Sequence, residues 1–191
     1  MKRSDLLDLV LADGARAEAI LPTVAIEDRL TLQRGRRIIE IRHLGRGHTA
    51  GDLIVHLPAE RIVVAGDLVV WPVPLVGDPQ SHVGEWAATL EKLRALAPAI
   101  LVPGHGPVLR DDGYVKRLIE LFSSIHTQAQ AAVARGETLA QARQSIDLTA
   151  LRTQFAGDSG ARKVAFAMYV AGPAVAVAWR EAVEQRAGTP R

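Results

Sequence analysis

Two stretches of sequence decide the fold of this chain, Ile62-Val63-Val64-Ala65-Gly66-Asp67 and Ile100-Leu101-Val102-Pro103-Gly104-His105. The first begins with four apolar residues without alternation, as is typical of a strand buried on both faces. That strand is expected to stop at Gly66-Asp67, and a second short buried strand ends at the Pro-Gly before His105. A helix is predicted between them, from about 82 to 97, because apolar side chains recur at helical spacing at Val83, Trp86, Leu90 and Leu93. This order of strand, helix and strand is that of an α/β protein.

Further strands and helices extend this unit in both directions. The other predicted strands are 29–32, 37–43 and 52–57, the last forming a hairpin with 62–65. Beyond residue 111 the pattern is helical to the end, with predicted helices at about 112–135, 137–152 and 160–186. No repeat or low-complexity linker interrupts the chain. We therefore expect one domain, in which residues 136–191 are a helical C-terminal extension of residues 1–135.

Three polar side chains stand where strands give way to turns. His48 lies between Gly47 and Thr49, Asp67 follows the first apolar strand, and His105 is enclosed by Pro-Gly and Gly-Pro. Two imidazoles and a carboxylate suit zinc or a similar divalent ion. The chain has no cysteine, so thiolate ligands are excluded. Alone, the first two motifs are weak, whereas two glycines and two prolines around His105 describe a loop more constrained than a surface histidine requires.

In order and spacing, these three motifs resemble the late motifs of the metallo-β-lactamase superfamily, over about Leu30 to Leu109. The resemblance implies the C-terminal half of an αββα sandwich, so that residues 1–135 would be a partial domain of that family. It also implies that His48 binds one metal, that His105 binds a second, and that Asp67 bridges both and thereby takes part in catalysis. One or two zinc ions would supply a metal-bound hydroxide that attacks an ester, lactam, thioester or phosphoester bond of a small-molecule substrate.

The family's first metal motif, H-x-H-x-D-H, does not occur in this sequence, and no histidine precedes His43. Three ligands shared by two ions leave each ion two protein contacts, whereas zinc normally has three or four. Two functions follow as hypotheses. The chain is either a metal-dependent hydrolase impaired as it stands, or a non-catalytic, truncated half-fold that acts as an assembly or interaction module.

The remaining histidines have structural interpretations. His43 and His56 are expected on a sheet, His56 in a paired position. His82 begins a helix, and His126 is expected to be solvated or to face a partner. Two interpretations remain open for Trp71, Val73 and Leu75 in the loop after Asp67: they form an apolar wall of the substrate site, or they pack into the core.

Composition excludes several other classes. The net charge is +2 and aromatic residues make up 4%, which does not favour a nucleic-acid platform. Neither a G-x-S-x-G elbow nor a P-loop is present. Aspartates at 5, 8 and 13 interrupt any signal-peptide core, so a cytoplasmic protein is expected. The uncharged run from Val164 to Trp179 is short for a membrane span and predicts a buried, kinked helix without a membrane partner.

A half sandwich would leave the inner face of its sheet uncovered. The residues expected on that face are Leu53, Val55, Val64 and Leu101. Because contiguous apolar surface is unusual on a soluble monomer, a homodimer is predicted. The alternative is that the late helices fold back and cover this face.

Overall fold

A computed structural model describes residues 23–188 and shows one mixed sheet with helices packed on one of its faces. The strands are β1 (Arg29–Arg34), β2 (Arg37–Arg42), β3 (Ile54–Leu57), β4 (Ile62–Val70) and β5 (Ile100–His105). They lie in sequence order across the sheet, antiparallel except for the parallel pair β4 and β5. The predicted α/β class is confirmed. The prediction drawn from the first aspartates concerns residues 1–22, outside the described part of the chain.

The parallel pair needs a crossover connection, and helix α1 (Val83–Ala95) provides it. All four apolar residues that predicted this helix, Val83, Trp86, Leu90 and Leu93, are buried. Trp86 stacks on Phe122 with ring centroids 4.2 Å apart, and its Nε1 donates to the Leu68 carbonyl. The crossover helix is therefore anchored directly to β4, the strand that carries Asp67.

The expected end of β4 at Gly66-Asp67 is wrong, because the strand continues to Val70. The pairing with β5 shifts register on both sides of Gly66, whose φ of 55° lies in the left-handed region. Such a bulge bends a strand and turns a side chain without ending the pairing. Leu68, Val69 and Val70 remain buried beyond it. Asp67 is thus held inside a continuous strand.

Six helices occur among the described residues. They are α1, α2 (Gly113–Ala134), α3 (Leu139–Ser145), α4 (Thr149–Ala156), α5 (Gly160–Phe166) and α6 (Gly172–Gly188), with a π-helical segment, Ala167–Ala171, joining the last two. The single helix predicted over 137–152 is wrong. Ile146 is extended after α3, and the Asp147 carboxylate then accepts from the Thr149 amide at the start of α4. A local aspartate turn therefore interrupts an otherwise helical pattern.

The final helical run packs only partly into the protein. From Gly160 to Gly188 it is long and apolar enough to cross a membrane by length and composition, and 39% of its most apolar window is buried. Val170, Ala174 and Val177 are buried, whereas Val164 and Met168 are about 60% exposed. The Trp179 Nε1 donates to the Glu137 carbonyl at 3.1 Å. The predicted helix is present, but it is only half buried.

The opposite face of the sheet is uncovered within residues 23–188. Val64 is 38% exposed and Leu32 is 45% exposed, while Val55 is partly exposed. Leu53 precedes β3 in the same alternation and is also exposed. The placement of Leu101 on this face is wrong, because Leu101 is 3% exposed and belongs to the core beneath the helices. The alternative of a covering by the late helices is also wrong for the described residues, since those helices pack against the other face.

Candidate active site

His48 is held in the loop after β2 by its surroundings. Its Nδ1 lies 2.9 Å from the Leu75 carbonyl oxygen, which can only accept, so the proton sits on Nδ1. The hydroxyl of Ser81 donates to the His48 carbonyl. A Cβ on Gly47 would come within 2.6 Å of Leu68 and 3.0 Å of Trp86, so only glycine fits there. The His48 Nε2 is consequently the free nitrogen, and it lies 3.8 Å from Asp67 Oδ2.

Asp67 occupies the position after the Gly66 bulge, and about a third of its side chain is exposed. A Cβ on Gly104 would collide with Asp67 Oδ1 and would lie 2.8 Å from the Gly66 carbonyl carbon. The glycine before His105 therefore lets β5 approach close enough for Asp67 to reach the neighbouring imidazole.

His105 ends β5 and points outward, with 65% of its side chain exposed. Its Nε2 lies 3.5 Å from Asp67 Oδ1, and its carbonyl accepts from the Trp71 amide at 3.1 Å. Gly106 follows with φ 100°, and a Cβ there would come within 2.7 Å of the Trp71 Cβ. The glycine-rich setting around His105 therefore packs against Trp71.

The three predicted residues thus meet at Asp67, with one imidazole beside each carboxylate oxygen. This arrangement suits a carboxylate that bridges two separate ions. The donors match zinc in kind, but each ion would have only two of them, fewer than zinc normally takes. Consistent with this shortfall, no group of three or more His, Cys, Asp or Glu side chains between residues 23 and 188 is arranged to hold a single metal ion. The residues fit part of a metal centre and do not complete one.

The loop after β4 borders the site, and its three apolar residues differ in burial and contacts. Val73 is 5% exposed and belongs to the core, whereas Trp71 is half-buried beside His105 and Leu75 supplies the carbonyl that holds His48. The Val76 amide donates to the Tyr169 carbonyl at 3.1 Å, which ties this loop to the π-helical segment. Sequence reasoning could not find the Leu75 contribution, because a backbone carbonyl has no residue-type signal.

The histidines on the sheet have hydrogen-bond partners of their own, and the His82 amide donates to the Gly47 carbonyl beside His48. His56 pairs with Glu40 across β2 and β3 at 3.0 Å, as its predicted paired position requires, and this hydrogen bond lowers the pKa of Glu40. His43 Nδ1 donates to the Asp52 carbonyl. His126 is only partly exposed, and its Nδ1 is buried beside Gly84 of α1 without a hydrogen-bond partner among residues 23–188. A signal existed: His126 follows the buried Phe122 by four residues and so shares its helix face.

The site is an open surface rather than an enclosed cavity. A concavity of about 280 Å³ lies at the other end of β5, lined by Leu93 of α1 and Val115 of α2, and includes none of the three residues.

Comparisons with known proteins agree with this geometry. A family model described as the metallo-beta-lactamase superfamily matches residues 3–105, more than half of the 191-residue chain. Acyl-coenzyme A thioesterase MBLAC2 of Bos taurus is 29% identical over 94 residues, which are 47% of this chain and 33% of that protein. Metallo-beta-lactamase type 2 of Bacteroides fragilis is 30% identical over 92 residues, 45% of this chain and 36% of that one. The chain spans about a third of the length of these curated relatives.

Solved structures give the same family name. A metallo-beta-lactamase from Pontibacter korlensis aligns with a TM-score of 0.47 at 24% identity, covering 62% of this chain and 54% of that one. The metallo-beta-lactamase IND-7 aligns with a TM-score of 0.47 at 25% identity, covering 61% and 53%. On the match of the family model, the chain belongs to the metallo-β-lactamase superfamily.

Proposed function

We propose that the chain is a metal-dependent hydrolase whose site is formed by His48, Asp67 and His105, with zinc as the preferred ion. The observation that carries this proposal is the placement of one imidazole Nε2 beside each oxygen of a single carboxylate. A structural ion pair would not need two histidines on opposite oxygens. A divalent ion bound here would lower the pKa of water and polarise the bond to be cleaved.

Each residue would have a distinct part. His48 directs its Nε2 toward Asp67, because its Nδ1–H donates to the Leu75 carbonyl and this hydrogen bond fixes the orientation of the ring. Asp67 supplies two oxygens at a position fixed by the bulge at Gly66. His105, the most exposed of the three, lies where a substrate first meets the site.

The substrate class follows from the relatives as part of the proposal. One is named a thioesterase and another a β-lactamase. Both names describe attack on an acyl carbon, so small acyl substrates, thioesters and lactams before other esters and phosphoesters, are the first to test. Trp71 would provide an apolar surface beside the reacting group.

Metal affinity tests the proposal directly. Because each ion has two protein donors, we expect weak zinc binding, removed by dialysis against EDTA. Asp67→Asn should lower zinc affinity more than about 10-fold in a chelator-competition titration, whereas Asp158→Asn, at an exposed turn, should leave it unchanged. Equal zinc affinity in both variants would refute the proposed ligand role of Asp67.

Hydrolysis should be slow for the same reason. We expect turnover of an aryl thioester well below the roughly 10 per second of an ordinary enzyme, and its loss in His105→Ala. A turnover that survives this substitution would come from a contaminant or another site.

A second candidate function is that of a non-catalytic assembly module acting as a homodimer. The observation that favours it is the combination of an incomplete ligand set with an uncovered apolar sheet face. Metal content of the protein purified without chelator discriminates the two. A metal-free chain without thioesterase activity that nevertheless self-associates supports the assembly function over hydrolysis.

A further inference from the structure

The uncovered face of the sheet carries two unbroken rows of aliphatic side chains. Strand register aligns the first row as Leu30, Ile41, Val55, Val64 and Val102. Extending the β2–β3 register by one pair beyond Glu40 and His56 aligns the second row as Leu32, Ile39, Leu57, Ile62 and Ile100. Each strand contributes two of these ten side chains, and none of the ten is buried. Among residues 23–188 the middle of this five-stranded face is therefore apolar and open, with Arg34 and Arg37 on the same face at the β1–β2 turn.

The hairpin of β1 and β2 has most of its apolar residues on this face, which indicates that this face is the one that becomes buried. On the open side it presents Leu30, Leu32, Ile39 and Ile41. On the helix side the same two strands present Arg29, Glu40 and Arg42, which are joined by ion pairs. If the hairpin packed only against the helices, its apolar residues would lie on the helix side, because alternation along a strand places the apolar residues toward the core.

We propose that a second copy of this chain packs face to face against these two rows. The inference rests on the assembly candidate and not on hydrolysis, since it concerns neither metal nor Asp67. The strand order makes β3 the central strand, so the rows extend equally to both sides of it. A face with this layout matches itself under a two-fold rotation, as an isologous dimer requires.

The area agrees with a dimer of moderate strength. Ten partly exposed aliphatic side chains amount to about 500 Å² per copy, the size of the largest apolar patches on soluble proteins. A pair hides about 1,000 Å², the lower limit for specific interfaces. We therefore expect dissociation in the micromolar range.

Charge selects one orientation of the two copies. At the C-terminal end of β1 lie Arg34 and Arg36, and before its N-terminal end lie Glu27 and Asp28, all exposed. None of these four side chains has an ion-pair partner within the described residues. A two-fold axis across the strands stacks the sheets antiparallel and brings the arginine end of one copy over the acidic end of the other. A two-fold axis along the strands would instead place β1 of one copy over β5 of the other, so that these four charges would not meet.

Sedimentation equilibrium of the full chain between about 1 and 200 µM tests the pairing. The parent chain should dimerise, and Val55→Lys, which buries an unpaired charge at the centre of the face, should raise the dissociation constant more than about 100-fold. Val164→Lys makes the same substitution on the exposed side of α5 and should leave the dissociation constant unchanged. A monomeric parent chain would overturn the proposal, as would a dimer indifferent to Val55→Lys.

A charge exchange between the two ends of β1 distinguishes loss of the interface from misfolding of the variant. Arg34→Glu alone should weaken association, and adding Asp28→Arg should restore it, because the same two ends still meet with their charges swapped. Circular dichroism should be unchanged in all four variants. Failure of the double variant to recover would overturn the antiparallel pairing. Thioesterase assays on the same samples report separately on the proposed hydrolase.

Discussion

At the scale of single residues, glycines decide whether the three polar side chains can meet. Gly104 lies against Asp67 and the Gly66 backbone, so that even one methyl group there must push two strands apart. Gly51, in contrast, has nothing within 4 Å of its Cβ position and an unremarkable backbone. These two glycines form a matched pair for separating steric from general effects.

We expect Gly104→Ala to lower the free energy of unfolding by about 1–3 kcal/mol, because the added methyl overpacks the β4–β5 contact. It should also weaken zinc binding by displacing Asp67. Gly51→Ala should change neither quantity. Thermal unfolding and chelator competition on both variants measure this, and equal behaviour of the two would show that β5 can move away without cost.

The meeting of His48, Asp67 and His105 was predictable from the order and spacing of their three motifs, of which only the one around His105 is distinctive by itself. The Pro-Gly-His-Gly-Pro stretch, for example, specifies a constrained loop whatever surrounds it. The hydrogen bond to the Leu75 carbonyl and the closeness of Gly104 to Asp67 were not predictable, because both depend on contacts between segments distant in sequence. Residue types could therefore propose the chemistry, while the geometry that orients it required the fold.

At the scale of elements, the junction of α1, α2 and α6 holds an unusual set of titratable groups. Glu181 of α6 accepts from the Gly84 amide at 2.8 Å, and burial raises the pKa of its carboxyl. His126 of α2 approaches the same side of Gly84, with its Cε1 3.0 Å and the Glu181 Oε2 3.1 Å from the position of a Cβ there, and burial lowers the pKa of His126 below the ordinary 6.5. His82 also approaches Glu181, at 4.0 Å. Burial between these helices therefore disfavours the charged forms of Glu181 and His126.

The His126 shift predicts a loss of stability in mild acid. Between its lowered folded pKa and 6.5, the unfolded chain binds a proton that the folded chain does not, so stability falls as pH drops below about 6.5. Glu181 acts with the opposite sign: its raised folded pKa adds stability that is lost as pH rises through that value. His126→Leu should therefore flatten the decline between pH 6.5 and 5 in urea titrations. An unchanged slope would show that the imidazole titrates freely.

Existence and type of most elements followed from periodicity, and the failures have local causes. The helix over 137–152 divides because an aspartate turn at Asp147 competes with the helical pattern. β4 continues past Asp67 because the register shift at Gly66 is a bulge that does not end the pairing with β5. A glycine next to an aspartate signals a turn or a bulge equally well, and only pairing with β5 distinguishes them.

At the scale of the whole molecule, the predicted uncovered face is present, but its membership had to be corrected. Alternation assigns Val55 and Val64 to one side and Leu101 to the other, and an all-apolar strand gives no sign of which side is which. The helices that follow α2 were predicted without any indication of where they dock. They pack along α2 and α1, where α6 buries Val175, Val177 and Ala178.

This docking predicts that the helical extension and the sheet unfold together. The Arg186 guanidinium donates to the Val133 carbonyl at the end of α2, and Glu181 accepts from the Gly84 amide, so removing α6 would expose polar and apolar partners on both earlier helices. Because the chain lacks cysteine, a fluorophore can be placed uniquely at Ala59→Cys, in the β3–β4 turn, or at Val183→Cys, on the exposed side of α6. If residues 1–135 and 136–191 form one cooperative domain, both labels should report the same urea midpoint, as two-state unfolding requires. A midpoint at Val183 lower by about 1 M or more, several times the usual error of such curves, would instead make the extension a separate folding unit resting on the sheet domain.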